Sequence, residues 1–144
     1  MENINSRSKL TQSVHAGSFG DPRYKGTVTP IFPSSAYDYE GITGETMYPR
    51  YHNTPNHQAV AEKIAALENA EAGLMFGSGM AAIMTSLFAM LKAGDHAIFQ
   101  ADLYGGTHSA VAKELPRYGI SFTMVDGTDA RNFERAVRPE TRVI

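Results

Sequence analysis

The chain has 144 residues, the length of one ordinary domain, with 13 Lys and Arg against 15 Asp and Glu and a net charge of −2. A balance so close to neutral excludes nucleic-acid binding driven by bulk charge, and 42% hydrophobic residues exclude a disordered chain. Cysteine is absent, which excludes disulfides, thiolate nucleophiles and Cys-ligated zinc.

The polar opening MENINSRSKL contains no apolar stretch, so it predicts neither a secretory signal nor a membrane anchor and leaves the cytoplasm as the default location. Residues 1–47 show no sustained period, and Gly17, Gly20, Pro22, Gly26, Pro30, Pro33, Gly41 and Gly44 punctuate them. They read as an irregular arm. Because Ile31, Phe32, Tyr37 and Tyr39 are too apolar for a free tail, the arm is expected to lie on another surface, a neighbouring subunit being one.

From residue 48 the pattern becomes that of an α/β domain. Thr54 followed by Pro55 marks a helix entry, and Val60, Ile64 and Leu67 recur at i, i+4 and i+7, predicting a helix over 55–70 with that stripe inward. Leu74-Met75-Phe76 between glycines predicts a buried strand, and Ser78 is placed to cap a second helix running to about Lys92. That helix is apolar nearly all round, which predicts burial on most sides. The uncharged run from Ala72 to Leu91 approaches the ~30 Å of a bilayer, but Gly77-Ser78-Gly79 cuts it and a strand followed by a helix accounts for it. A strand over 96–101 leads to a helix capped at Thr107 and frayed by Pro116. A strand over 120–125 follows, then a short helix capped by Asp129, and a last strand from Thr141. Strand and helix alternating with short links predict right-handed crossovers and a mainly parallel sheet with helices on both faces.

Three turns carry chemistry. Gly77-Ser78-Gly79-Met80 joins a strand to a helix, and its free N–H groups suit an anion such as a phosphate; taken alone, the glycines serve a tight turn and close packing equally well. The dinucleotide spacing fails at Ala82, and no Gly-Lys-Ser/Thr follows. Tyr48-Pro49-Arg50 sets a guanidinium beside a phenol, a pair suited to phosphate but equally at home on an ordinary surface loop. Asp102-Leu103-Tyr104-Gly105-Gly106-Thr107 puts an aromatic at the carboxyl end of a strand, where open α/β sheets bind ligands, with glycines that admit a planar group. A core tyrosine beside a flexible turn fits the same residues. The five histidines lack metal-ligand spacing, and no metal site is expected; the lysines at 63, 92 and 113 read as solvated.

Taken together these motifs resemble one family. Tyr48-x-Arg50 before Asn53-Thr54-Pro55, Ala66-Leu67-Glu68 closing the helix, Ser78-Gly79-Met80-Ala81-Ala82, Gly94-Asp95-His96, and Leu103-Tyr104-Gly105-Gly106-Thr107 are similar to the pyridoxal-phosphate-dependent trans-sulfuration enzymes of cysteine and methionine metabolism. These include cystathionine γ-synthase, the cystathionine lyases, methionine γ-lyase and O-acetylhomoserine sulfhydrylase. The resemblance implies that residues 48–144 are the first, incomplete part of an aspartate-aminotransferase-like (fold type I) large domain.

It further implies that the amides of Gly79 and Met80 hold the phosphate of pyridoxal 5'-phosphate and that Tyr104 stacks on its ring as a catalytic residue. Tyr48 and Arg50 would reach the cofactor of a neighbouring subunit. A homotetramer built from two dimers, acting on a small amino acid by β/γ-elimination or γ-replacement, is expected, with no nucleic-acid or membrane partner. The family's Schiff-base lysine and pyridine-pairing aspartate lie downstream of Ile144, so this piece alone is expected to be inactive. The family commonly has Asn-Pro-Thr where this chain has Asn53-Thr54-Pro55, and Pro49 stands where a small polar residue is usual. Methionine γ-lyases typically carry Cys at the position of Gly106, which makes that subgroup less favoured. A non-catalytic anion-binding or subunit-interaction fragment is the competing reading, and an aminotransferase of the same general fold would lack Tyr-x-Arg and Leu-Tyr-Gly-Gly-Thr in this order.

Overall fold

A computed structural model describes residues 7–40, 44 and 46–144, and the chain divides into two compact units, Met1–Met75 and Phe76–Ile144. Of the resembled motifs, the first unit holds Tyr48 and Arg50, and the second holds both glycine-rich turns.

In the first unit the arm is not wholly irregular. Ser8 caps a helix α1 (Lys9–His15), its hydroxyl accepting from Thr11 N. This helix lies against α2 (Pro55–Glu68), and the close approach is made by small residues: Gly17 has φ +66°, and a Cβ there would run into the Ala59 carbonyl. Lys9 Nζ donates to the carbonyls of Ala66 and Leu67 and to Asn69 Oδ1, each at 2.7 Å, so an ammonium from α1 supplies the donors that the end of α2 lacks. Asn69 itself closes α2 with φ 53°. Asn56 ties the arm down, its Oδ1 accepting from Phe32 N and its Nδ2 donating to Pro30 O, both at 2.8 Å. Two expectations change here. Val60 and Ile64 remain exposed while Ala65 is the buried residue of α2, because small side chains, not the branched stripe, make the close packing. Thr54 does stand at the N-cap, but its hydroxyl pairs with His57 Nδ1 at 2.5 Å and not with the helix backbone.

The second unit is a parallel three-stranded sheet with helices, in the order β2-β1-β3. Helix α3 (Gly79–Met90) precedes β1 (His96–Gln100). Helix α4 (Gly105–Lys113) and a 3-10 turn over Leu115–Tyr118 lead to β2 (Ser121–Val125), and α5 (Ala130–Ala136) leads to β3 (Thr141–Val143). The β1–α4–β2 crossover puts neighbouring strands in register from His96 opposite Ser121 to Gln100 opposite Val125. The core joins Leu87 from α3 and Leu91 at its C-cap, Ala97 from β1, Val111 from α4, and Leu115 and Ile120 around the 3-10 turn. Pleating turns His96 and Ile98 to the other face of β1, and both are fully buried.

His96 ties all three strands together. Its Nδ1 lies 2.8 Å from Thr141 Oγ1 on β3 and its Nε2 lies 2.9 Å from Thr123 Oγ1 on β2. Arg138 supports both hydroxyls, Nη2 donating to Thr123 Oγ1 at 3.0 Å and the backbone N–H to Thr141 Oγ1 at 2.8 Å.

Four sequence expectations are corrected in this unit or at its border. Leu74-Met75-Phe76 forms no strand among the described residues, and Leu74 is 65% exposed. The sheet therefore has three strands where four were expected. Within α3 only Leu87 is buried, with Ile83, Phe88 and Met90 partly open, because three strands cannot cover a helix on every side. Finally, α4 starts two residues before Thr107, with Tyr104 at its N-cap, and Thr107 is buried inside its first turn.

Candidate cofactor site

The mouth of α3 follows from one serine. Ser78 is extended (φ −162°, ψ 159°), its Oγ accepts from Ala81 N at 3.1 Å, and its carbonyl accepts from Ala82 N at 3.0 Å. The N–H groups of Gly79 and Met80 are left without an acceptor among the described residues. A Cβ added at Gly77 or Gly79 would meet nothing within 4 Å, so the space before these donors is open. Two unspent amides at the positive end of a helix, facing an open cradle, fit a phosphate.

The start of α4 meets this mouth. Thr107 Oγ1 donates to Met80 Sδ at 3.6 Å, joining the first turns of α3 and α4. Tyr104 accepts from His108 N at 2.9 Å through its carbonyl, while its side chain is 73% exposed and its hydroxyl is unpaired among the described residues. A cleft of about 560 Å³ is lined by Tyr104, Leu103 and Thr107, by Ala82, Ile83, Ser86 and Leu87 of α3, and by Phe99 of β1. Gly79 is exposed and lies outside that lining. Because the sheet is parallel, the turn after β2 closes at the same edge as the turn after β1. There the Thr128 hydroxyl, and then its amide, hold the Asp126 carboxyl below its ordinary value.

Tyr48 and Arg50 form a unit of their own in the first half of the chain. Pro49 opens the 3-10 turn Pro49–Tyr51, and His52 closes it with φ 57°. Asn53 secures the turn, its Oδ1 accepting from Tyr48 N and its Nδ2 donating to Thr46 O, each at 2.9 Å. Arg50 Nη1 donates to Tyr48 Oη at 2.7 Å, and the guanidinium carbon stands 5.6 Å from the Tyr48 ring centre. The Tyr48 ring packs edge-on against Tyr51 at 5.1 Å. Arg50 remains exposed.

The structure thus brings Met80 together with the Tyr104–Thr107 turn, and Tyr48 together with Arg50. The part of Thr107 as the link to Met80 was hidden in the sequence, where a threonine beside two glycines reads as a cap. Among the described residues no three His, Cys, Asp or Glu side chains gather into a metal-binding group, and no helix is long and apolar enough to cross a membrane.

Residues 10–144 match the family model described as Cys/Met metabolism PLP-dependent enzyme. The chain is 37% identical over 136 residues to a probable cystathionine gamma-synthase of Herpetosiphon aurantiacus, covering 93% of this chain and 42% of the relative. It is 37% identical over 138 residues to a cystathionine gamma-lyase of Bacillus subtilis, covering 94% of this chain and 36% of the relative. The crystal structure of metB from Corynebacterium glutamicum superposes with a TM-score of 0.89 at 31% identity, over 96% of this chain and 37% of that one. The cystathionine gamma-lyase of Lactobacillus plantarum complexed with L-serine gives 0.85 at 36% identity, over 94% of this chain and 35% of that one. The chain therefore spans well under half the length of these relatives. With a family match that runs from the first helix to the last residue, the chain belongs to the pyridoxal-phosphate-dependent enzymes of cysteine and methionine metabolism.

Proposed function

We propose that the full-length protein carrying this chain is a cytoplasmic sulfur-amino-acid enzyme that catalyses β/γ-elimination or γ-replacement on a small amino acid. In this reading the N–H groups of Gly79 and Met80 hold the cofactor phosphate and the Tyr104 ring lies against the cofactor ring. Tyr48 and Arg50 reach a phosphate bound by a neighbouring copy, within a homotetramer of two dimers. Residues 1–47 serve as the arm toward that neighbour, and residues 48–144 begin the cofactor-binding domain. Bound pyridoxal phosphate supplies the electron sink that lets a proton leave an amino acid's α-carbon.

This chain's own residues bind and orient. The helix end and its two free donors favour a dianion. The aromatic ring excludes water from one face of a flat ligand, and the Arg50 guanidinium offers two parallel donors to phosphate oxygens, with its Tyr48 contact already formed at 2.7 Å. The observation that carries the proposal is the hydrogen bond from Thr107 Oγ1 to Met80 Sδ, which joins the first turn of α4 to the first turn of α3.

The test is reconstitution of the full-length protein with pyridoxal phosphate, followed by assay of thiol, ammonia and keto-acid release from a panel of sulfur amino acids. Arg50→Ala is expected to weaken cofactor binding on the order of ten- to a hundredfold, the cost of a lost charge-assisted phosphate contact. Mixing this variant with a Tyr104→Ala variant is expected to restore part of the activity if sites are shared between copies. Unaltered cofactor affinity in Arg50→Ala, or no recovery on mixing, would overturn the shared site.

A further inference from the structure

Arg50 stands on a short turn that has few bonds of its own. Tyr51 N donates to Tyr48 O at 2.8 Å and His52 N to Pro49 O at 3.3 Å, and both bonds lie within the turn. Neither fixes the turn to the rest of the chain. Tyr48 is extended (φ −147°, ψ 125°), its N–H takes no part in the turn it opens, and Pro49 has no N–H to add. The tie comes from Asn53. Its Oδ1 accepts from Tyr48 N and its Nδ2 donates to Thr46 O, each at 2.9 Å, so one amide group grips the backbone on both sides of Met47. Asn53 directly precedes Thr54, the N-cap of α2, where Gln58 N donates to Thr54 O at 3.1 Å and Gln58 Nε2 to Asn53 O at 3.4 Å. The turn that carries Arg50 is thereby pinned to the head of a 14-residue helix.

We propose that Asn53 is a positioning residue for phosphate binding: its side-chain amide fixes the Tyr48–Arg50 turn on the head of α2, so that the guanidinium is aimed before a phosphate arrives. The inference rests on the cofactor reading above for the identity of that phosphate, but not for the clamp. Arg50 Nη1 is already bonded to Tyr48 Oη at 2.7 Å, and with the Tyr48 backbone held as well, the ordering of this pair is completed on folding and does not oppose binding. The chemistry of the clamp asks for an amide. A carboxylate of the same length keeps the acceptor for Tyr48 N but sets a second oxygen against the Thr46 carbonyl.

The experiment uses the full-length protein. Without cofactor, hydrogen exchange at the Tyr48 amide, read by mass spectrometry, is expected to be at least about tenfold faster in Asn53→Ala and to stay slow in Asn53→Asp, which keeps the acceptor. Titration with pyridoxal phosphate is then expected to show about tenfold weaker binding by Asn53→Ala, with Asn53→Asp between it and the unsubstituted protein. In an Arg50→Ala background the same Asn53→Ala change is expected to weaken binding by less than about twofold, because the clamp acts only through the side chain it aims. Structural damage would weaken binding by the same factor in both backgrounds. Equal factors therefore overturn the proposal, as does unaltered affinity in Asn53→Ala, and either result leaves the cofactor reading standing. Should Asn53→Ala not fold, the same cycle run with Asn53→Asp decides between these outcomes. Unaltered affinity in Arg50→Ala, or no saturable binding by the unsubstituted protein, overturns the cofactor reading and the role of Asn53 with it, while the exchange rates still report whether the clamp exists.

Discussion

His96 occupies a site where each ring nitrogen has a hydroxyl partner. Thr123 Oγ1 accepts from Arg138 Nη2 and Thr141 Oγ1 from the Arg138 N–H, so one threonine O–H donates to the imidazole nitrogen it faces while the other oxygen accepts the imidazole N–H. Burial lowers the imidazole from its ordinary 6.5, the Arg138 charge lowers it further, and Glu140 opposes both. Asp95 next to it in sequence is drawn toward Arg142, with 3.8 Å between Nε and Oδ1. The folded chain thus holds His96 neutral at a pH where the unfolded chain is already taking up a proton. Its contribution to stability is intact above 6.5 and declines as the pH falls through 6.5 toward the lowered folded value. Urea midpoints measured from pH 8 to pH 5 are expected to fall less steeply in His96→Asn than in the unsubstituted protein; equal slopes would show that other groups set the acid limb. Thr123→Val, which leaves Nε2 buried without a partner, is expected to cost about 1–3 kcal/mol in the same assay.

At the scale of elements, the ends of helices were legible and their surroundings were not. Ser78 capping α3 and Asp129 capping α5 follow from side chains that bond their own next turn, and both are present. Gly119, with φ 71°, closes the frayed 3-10 turn that Pro116 announced. Burial depends on partners that no local pattern names. Leu74-Met75-Phe76 has a strand's composition without a strand to pair with, and the branched stripe of α2 lost its place to the close packing around Ala59 and Ala65. At the site, the residues that bond locally were readable, Gly79 and Met80 as a helix mouth and Arg50 beside Tyr48. The Thr107–Met80 link spans 27 positions and was not. The Lys9 cap of α2 was equally out of reach, coming from 57 or more positions away. Replacing Lys9 with Met keeps the aliphatic stem and removes the donors. It is expected to destabilise the first unit by about 1 kcal/mol and to speed amide exchange at the end of α2, with α3 to α5 unaffected.

For the molecule as a whole, three strands leave both outer ones, β2 and β3, with an unpaired edge among the described residues, and α3 shows Ile83, Phe88 and Met90 to solvent. The lysines are no better placed for covalent chemistry. Lys9 and Lys63 spend their ammonium groups on backbone carbonyls, and none of the described lysines is buried. The 144-residue polypeptide expressed alone is therefore expected to bind hydrophobic dyes, to self-associate, and to release no thiol from sulfur amino acids when pyridoxal phosphate is added. Turnover by this polypeptide alone would show that a complete reaction centre forms within it.

The single ring at the head of β1 also constrains how such a chain can change over time. His96 and its two threonine partners are spread over 45 positions, yet they share two hydrogen bonds that neither threonine can abandon alone without stranding a nitrogen. Drift at these three places should proceed by paired replacements, leaving a correlated signature across homologous sequences that an ordinary surface histidine would not leave.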